Sequence, residues 1–176
     1  MLPTLILASD IHGSAFALHL LVGRAKQYQA EKILIAGDLC PPDSPEFRTL
    51  LTQEAETLLV RGNCDGSYEF SNAKIHLPPL VQRLQWGERT LVMTHGDRFP
   101  SPYGLDMKTG DIFISGHTHT PHLARQEDGI ITINPGSTTF PRTPLGPTYA
   151  LLFEEGISIR SLDDDRPLPS MQYYFM

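Results

Sequence analysis

The sequence predicts an α/β fold in which two β-sheets pack face to face with helices outside. Three observations carry this. The first sixty residues alternate short apolar runs with helical patterns, β-α-β-α-β, which implies a parallel sheet with right-handed crossovers. From about residue 80 the strands follow one another quickly around hairpin turns, so the second half is expected to be mostly antiparallel. Finally, the opening run Leu5-Ile6-Leu7-Ala8 is apolar throughout, as a strand buried on both faces is.

Residues 4–9 form the first strand, broken by Ser9-Asp10. Residues 15–29 read as a helix with Phe16, Leu20, Leu21 and Ala25 on its inner face and Ser14 as its cap. A strand follows at 33–36. Pro41, Pro42 and Pro45 mark a loop, and Ser44 caps a short helix over 45–54. A third strand spans 57–60, and residues 66–79 look irregular and polar. Strands at 80–85 and 90–94 are joined across Trp86-Gly87-Glu88-Arg89. Residues 96–110 form a Pro- and Gly-rich loop with room for a short helix. Further strands are expected at 112–115, 121–126, 130–133, 148–153 and 156–161, with hairpin turns at Asp128-Gly129 and Glu155-Gly156. The tail, 163–176, has three consecutive Asp residues and is expected to run over the surface. It ends in Tyr173-Tyr174-Phe175-Met176, an apolar patch with two readings: docking on its own domain or on a second subunit.

A length of 176 residues fits one domain, 1–176, and 40% hydrophobic content can build a substantial core. A formal net charge of −6 suits long nucleic acid poorly, because that binding is mostly electrostatic. A small anionic molecule stays open, since a bound metal can dominate the charge of a pocket. Cys40 and Cys64 are too few for a disulfide framework or a structural zinc finger; a free thiol and a bridge are both admissible. No signal-peptide pattern opens the chain and no run approaches membrane-spanning length, so a cytoplasmic setting without membrane association is expected.

Chemistry gathers at the strand ends. Five apolar runs are followed by Asp10-Ile11-His12, Gly37-Asp38, Gly62-Asn63, His95-Gly96 and Gly116-His117-Thr118-His119. Ligands in open α/β sheets collect at the carboxyl ends of strands. Asp10 and His12 stand two apart, and an extended backbone points both to one side; Asp10 could equally cap a helix. His117 and His119 repeat that spacing behind Gly116, and paired imidazoles are common metal ligands. Asp38 reads as a turn former or as a carboxylate touching two ions. Asn63 reads as a turn residue or an uncharged oxygen ligand, and His95 as a structural histidine or a ligand. These seven residues suffice for two divalent ions sharing one carboxylate. Two such ions, two Asp and a hydroxide leave a formal charge of about plus one, which favours an anion such as phosphate. Ions roughly 3.5–4 Å apart can activate water and stabilise both apical oxygens of an in-line displacement.

The series Asp-x-His, Gly-Asp, Gly-Asn, His-Gly and Gly-His-Thr-His resembles the calcineurin-like metallophosphoesterases. With Arg61-Gly62-Asn63-Cys64-Asp65 and Asn134-Pro135-Gly136-Ser137, it is similar to their small bacterial and archaeal YfcE-type phosphodiesterases. The resemblance covers residues 5 to about 153. It implies a four-layer α/β/β/α sandwich of two mixed sheets. It implies one metal held by Asp10, His12, Asp38 and His119, and a second by Asp38, Asn63, His95 and His117. Manganese is the expected metal, with iron, zinc, nickel and magnesium as alternatives. It implies phosphodiester hydrolysis by in-line attack of a metal-bridging hydroxide, with Asp38, Asn63, His95 and His117 in the catalytic group, to which this chain adds Cys64 as a candidate. A small diester is the expected substrate, and a homodimer is a family-level expectation. Asn134 to Ser137 are given a supporting turn behind the histidine pair.

Departures from the family pattern shape the reading. Many relatives carry Gly-Asn-His-Glu, whose His can protonate the leaving group; here Cys64 takes that place, either as a weak acid or as a small filler. No Arg follows Gly37-Asp38 to hold a monoester dianion, which tilts the reading to diesters. The alternatives are a non-catalytic metal-binding scaffold of the same fold, or a phosphomonoesterase or protein phosphatase.

Overall fold

The computed structural model describes residues 1–175; Met176, the last residue of the predicted apolar patch, lies outside the described residues. The elements run β1 (Leu5–Ala8), α1 (Ala15–Gln27), β2 (Lys32–Ile35), α2 (Pro45–Thr52), β3 (Thr57–Leu59), α3 (Ser67–Asn72), β4 (Val81–Trp86), β5 (Arg89–Thr94), β6 (Ile112–Ile114), β7 (His122–Arg125), β8 (Ile131–Asn134), β9 (Thr148–Phe153), β10 (Gly156–Ser161) and β11 (Pro167–Tyr174). They build two mixed sheets, ordered β11-β10-β9-β1-β2-β3 and β4-β5-β6-β8-β7.

Side-chain alternation explains the layers. Leu5 and Leu7 of β1, with Leu34 of β2, pack between the sheets against Leu91, Met93, Ile112, Ile114, Ile131 and Ile133. Their neighbours Ile6, Ala8, Ile33 and Ile35 face the other way, onto Leu18, Leu21 and Val22 of α1 and Phe47, Leu50 and Leu51 of α2. Both faces are buried, which is why these runs show no polar alternation. The far side of the second sheet is covered differently. Leu105, Phe99 and Met107 pack there on Val92 and Phe113, and among the described residues no helix forms between 96 and 110. The fourth layer is a loop.

Helix caps and hairpins follow the sequence closely. Ser14 and Ser44 accept from Ala17 N–H and Phe47 N–H, and Pro45 occupies the first turn of α2. The inner face of α1, however, is Ala17, Leu18, Leu21, Val22 and Ala25; Phe16 is 71% exposed. The three predicted hairpins β4–β5, β7–β8 and β9–β10 are antiparallel, but β5, β6 and β8 are mutually parallel. The second half is thus less antiparallel than expected. Six strand ends therefore point the same way within their sheets: β1, β2 and β3 in one, β5, β6 and β8 in the other.

Two elements depart from expectation. Residues 67–72 are helical (α3), anchored by buried Phe70, although no side chain caps the helix. The tail does run over the surface, but as an ordered strand rather than a loop. It pairs along β10 as edge strand β11, where Pro167 and Pro169 are tolerated because one side of the strand needs no partner. Tyr173 and Phe175 pack on the inter-sheet core, and Arg89 sits over the Phe175 ring at 4.1 Å. The apolar patch docks on its own chain through these two residues, while Tyr174 is exposed.

The turn before β11 is held by Asp165. Its carboxylate accepts from Tyr149 and Tyr28 hydroxyls, Gln27 Nε2 and Arg160 Nε, at 2.5 to 2.9 Å. Burial alone would raise its pKa, but these donors bring it down to about 2. A depressed carboxylate pKa contributes stability that is present above the unfolded value, near 4, and lost as pH falls towards 2. The contribution is on the order of 2 kcal/mol. Asp165→Asn is expected to lower the urea midpoint at pH 6 and to flatten its fall between pH 4 and pH 2. Equal midpoints for variant and wild type at pH 6 would remove Asp165 from this role.

Candidate metal centre

Every predicted site residue lies just past one of those six strand ends or within the loop it begins. The ends of β1, β2 and β6 bring four side chains into one cluster. The donor atoms of Asp10, His12, Asp38 and His119 all lie within 4.8 Å of one another. His119 Nε2 is 3.1 Å from Asp10 Oδ1 and 3.4 Å from His12 Nε2, and His12 Nε2 is 3.8 Å from Asp38 Oδ2. The other oxygen of Asp38 faces a second group: His95 Nε2 lies 3.4 Å from Oδ1 and 3.1 Å from Asn63 Oδ1. The ring of His117 sits edge-on to His95 with centroids 5.2 Å apart. Asp10 and Asp38 are buried, while Asn63, Cys64 and His117 are exposed at the mouth.

The backbone delivers these groups in an unusual way. Asp10, His12, Asp38, His117 and His119 all have positive φ, between 46° and 67°. The extended geometry expected from the two-residue spacings does not hold. The left-handed conformation is uncommon outside glycine, though Asp and His adopt it more readily than most, and it clusters at functional sites. Glycines make the space. A Cβ on Gly37 would lie 2.8 Å from His95 Cβ, and one on Gly62 would overlap the Asp38 carboxylate.

Hydrogen bonds to backbone carbonyls aim two of the imidazoles. His95 Nδ1–H donates to the Ala36 carbonyl at 2.8 Å, and His119 Nδ1–H to the Phe140 carbonyl at 2.7 Å, so both present Nε2 to the cluster. Cys40 Sγ stands 3.6 Å from His12 Nδ1. Burial alone would lower the His95 pKa, but the Asp38 carboxylate and the Ala36 carbonyl raise it to about 9. Burial would raise Asp38; contacts from His95 and the Cys64 N–H hold it down at about 2 instead. Burial and the neighbouring Asp38 push the Cys64 thiol up to about 11. Asp10 Oδ1 is buried without any hydrogen-bond donor, and the ring nitrogens Nε2 of His119 and His12 stand 3.1 and 3.9 Å from it. An acceptor facing nitrogen lone pairs is unfavourable on its own and fits a cation between them.

The sequence assigned no role to Ser9 or Asp65, yet both support the site. Ser9 Oγ–H donates to the Ala36 carbonyl at 2.9 Å, tying the end of β1 to that of β2. Asp65 accepts from Cys40 N–H and Gly62 N–H, pinning the two loops that flank Asp38. The predicted turn behind the histidines is present: Asn134 Nδ2–H donates to the Gly116 carbonyl, and Ser137 Oγ–H to the Asp10 carbonyl. Phe140 rests its ring on His12, centroids 5.2 Å apart. Both cysteines are free, and among the described residues no helix is long and apolar enough to cross a membrane.

The Calcineurin-like phosphoesterase superfamily domain matches residues 4–156. The chain belongs to this superfamily. Phosphodiesterase YfcE of Escherichia coli strain K12 is 31% identical over 173 residues, covering 91% of this chain and 92% of that protein. A probable metallophosphoesterase of Methanothermobacter thermautotrophicus is 35% identical over 120 residues, covering 64% of this chain and 63% of that one. The solved structure of YfcE, a phosphoesterase from E. coli, superposes with a TM-score of 0.85 at 26% identity, covering 98% of this chain and all of that chain. A calcineurin-like metallophosphoesterase carries divalent metal ions, and the Asp10, His12, Asp38 and His119 cluster is a candidate site for one.

Proposed function

We propose that residues 1–176 act as one catalytic domain, a metal-dependent phosphodiesterase for small diesters. The observation that carries this is the placement of Asp38. One oxygen faces His12 and the other faces His95, so a single buried carboxylate joins two donor sets. The first set is Asp10, His12, Asp38 and His119; the second is Asp38, Asn63, His95 and His117. Two divalent ions bound there would supply a nucleophilic water near neutral pH and positive charge for the phosphoryl oxygens. Manganese is the metal we propose; the mixed oxygen and nitrogen donors also suit iron, zinc, nickel and magnesium.

The chain's own groups then have distinct tasks. Asp38 holds the two sets together. His95, aimed by the Ala36 carbonyl, offers Nε2 to a cation once that nitrogen has lost its proton. Exposed His117 and Asn63 stand on the solvent side, where a phosphate would arrive. Cys64 is also at the mouth, but a thiol with a pKa near 11 protonates a leaving alcohol poorly. Diesters with good leaving groups are therefore the best substrates. Leu39 and Cys40 follow Asp38 where a monoester dianion would need a cation, which supports the diester reading, as does the phosphodiesterase name of the 31% identical relative.

The test is hydrolysis of bis-p-nitrophenyl phosphate by metal-stripped protein with and without added Mn²⁺. Turnover that appears only with metal, and exceeds that of p-nitrophenyl phosphate, is the expected result. No turnover from folded protein loaded with two metals would overturn the enzyme reading.

A further inference from the structure

Beside the polar donor cluster, against His12, lies the ring of Phe140, which is 58% exposed. A lone exposed Phe is ordinary on a protein surface. This one is distinguished by how it is held. Its N–H donates to Ser137 Oγ at 2.9 Å, and its carbonyl accepts from His119 Nδ1 at 2.7 Å. The preceding Thr139 Oγ1–H donates to the Ile11 carbonyl at 2.8 Å. Its carbonyl is thus tied to the loop bearing His119, and its neighbour Thr139 to the loop bearing Asp10 and His12. The ring meets His12 at an interplanar angle of 56°, so the imidazole supports it without stacking flat over it. An apolar face stays open beside the donor cluster.

We propose that Phe140, braced by His12, is a stacking platform for the retained ester arm of the substrate, and that it selects aryl or nucleobase-like arms over small alkyl arms. This rests on the phosphodiesterase reading. The negative face of an aromatic ring repels a phosphate anion, so the platform takes the arm and leaves the phosphoryl group to the donor cluster. An aryl or base ring is the complementary occupant, because π-faces stack irrespective of base identity. The rigid backbone means that little ordering is needed on binding, so the gain appears in substrate affinity.

The experiment compares p-nitrophenyl phenyl phosphate with methyl p-nitrophenyl phosphate on Mn²⁺-loaded protein. Both release p-nitrophenolate, so only the retained arm differs. The readout is the ratio of kcat/KM, aryl over methyl, in wild type, Phe140→Ala and Phe140→Tyr. Taking the ratio cancels any change in the metal centre common to both substrates, and metal content per chain is measured alongside. The ratio is expected to fall about 5-fold or more in Phe140→Ala, mainly through KM for the aryl diester, and to be kept in Phe140→Tyr. Turnover of both diesters with an unchanged ratio in Phe140→Ala would overturn the platform alone. If loaded wild type hydrolyses neither, the phosphodiesterase reading and the platform fall together.

Discussion

Asp38→Asn is expected to abolish diester turnover, by on the order of 10³-fold or more, and to reduce bound metal below two per chain. The carboxylate is buried, and its two oxygens serve different donor sets. An amide keeps the shape but loses the negative charge, and it turns an NH₂ towards one imidazole nitrogen that must itself donate a lone pair. The fold should survive, because the amide oxygen can still accept from Cys64 N–H, now 2.8 Å from Asp38 Oδ1. Circular dichroism unchanged, activity lost and metal reduced by elemental analysis would together fit this role. Two tightly held metals and near-normal turnover would show that Asp38 does not join the two sets.

Gly116→Ala is expected to be severely damaging for so small a substitution. The new Cβ would overlap Ser9 Oγ and lie 2.8 Å from Asp10 Oδ2. Ser9 is fully buried and its hydroxyl is committed to the Ala36 carbonyl, so it has nowhere to retreat. Overpacking of this kind costs about 1–3 kcal/mol. Displacing Asp10 and His117 by even an ångström would cost roughly 10²-fold in rate. The double variant Ser9→Gly with Gly116→Ala should recover part of the stability, since the two sites share one space. Chemical denaturation of both variants decides this. No recovery in the double variant would mean that the damage arises elsewhere.

The parts of the fold legible in the sequence are those where a local rule and the tertiary context agree. Leu5-Ile6-Leu7-Ala8 and Ile33-Leu34-Ile35 are apolar because both faces of the strands are covered, and Ser14 and Ser44 cap the helices that follow. The donor series is legible because each member immediately follows an apolar run. What the sequence hides is non-local or weakly signalled. Helix α3 has no side-chain cap and only Phe70 fully buried, too little for a period to show. Strand β11 contains two prolines that argue against a strand until its edge position is known. Phe16 fits an apolar spacing but falls one position off the buried face of α1. The parallel alignment of β6 and β8 depends on β7 lying outside both, which spacing does not reveal. Phe140 follows the Asn134 to Ser137 turn without any motif, and only the folded chain brings its carbonyl to His119.

The position of β1 in its sheet governs how the chain must assemble. Leu5 pairs on one side with Lys32, a near neighbour in sequence, and on the other with Leu152, most of the chain away. The entropy of closing so long a loop grows only slowly with length, so the finished protein loses little stability by it. The search for that partner is slow, however, because distant strand pairings retard folding. Until β9 arrives, the apolar run of β1 is an open strand edge able to pair with another molecule. Refolding yield from denaturant should therefore fall with protein concentration, even though the native surface hides that edge completely.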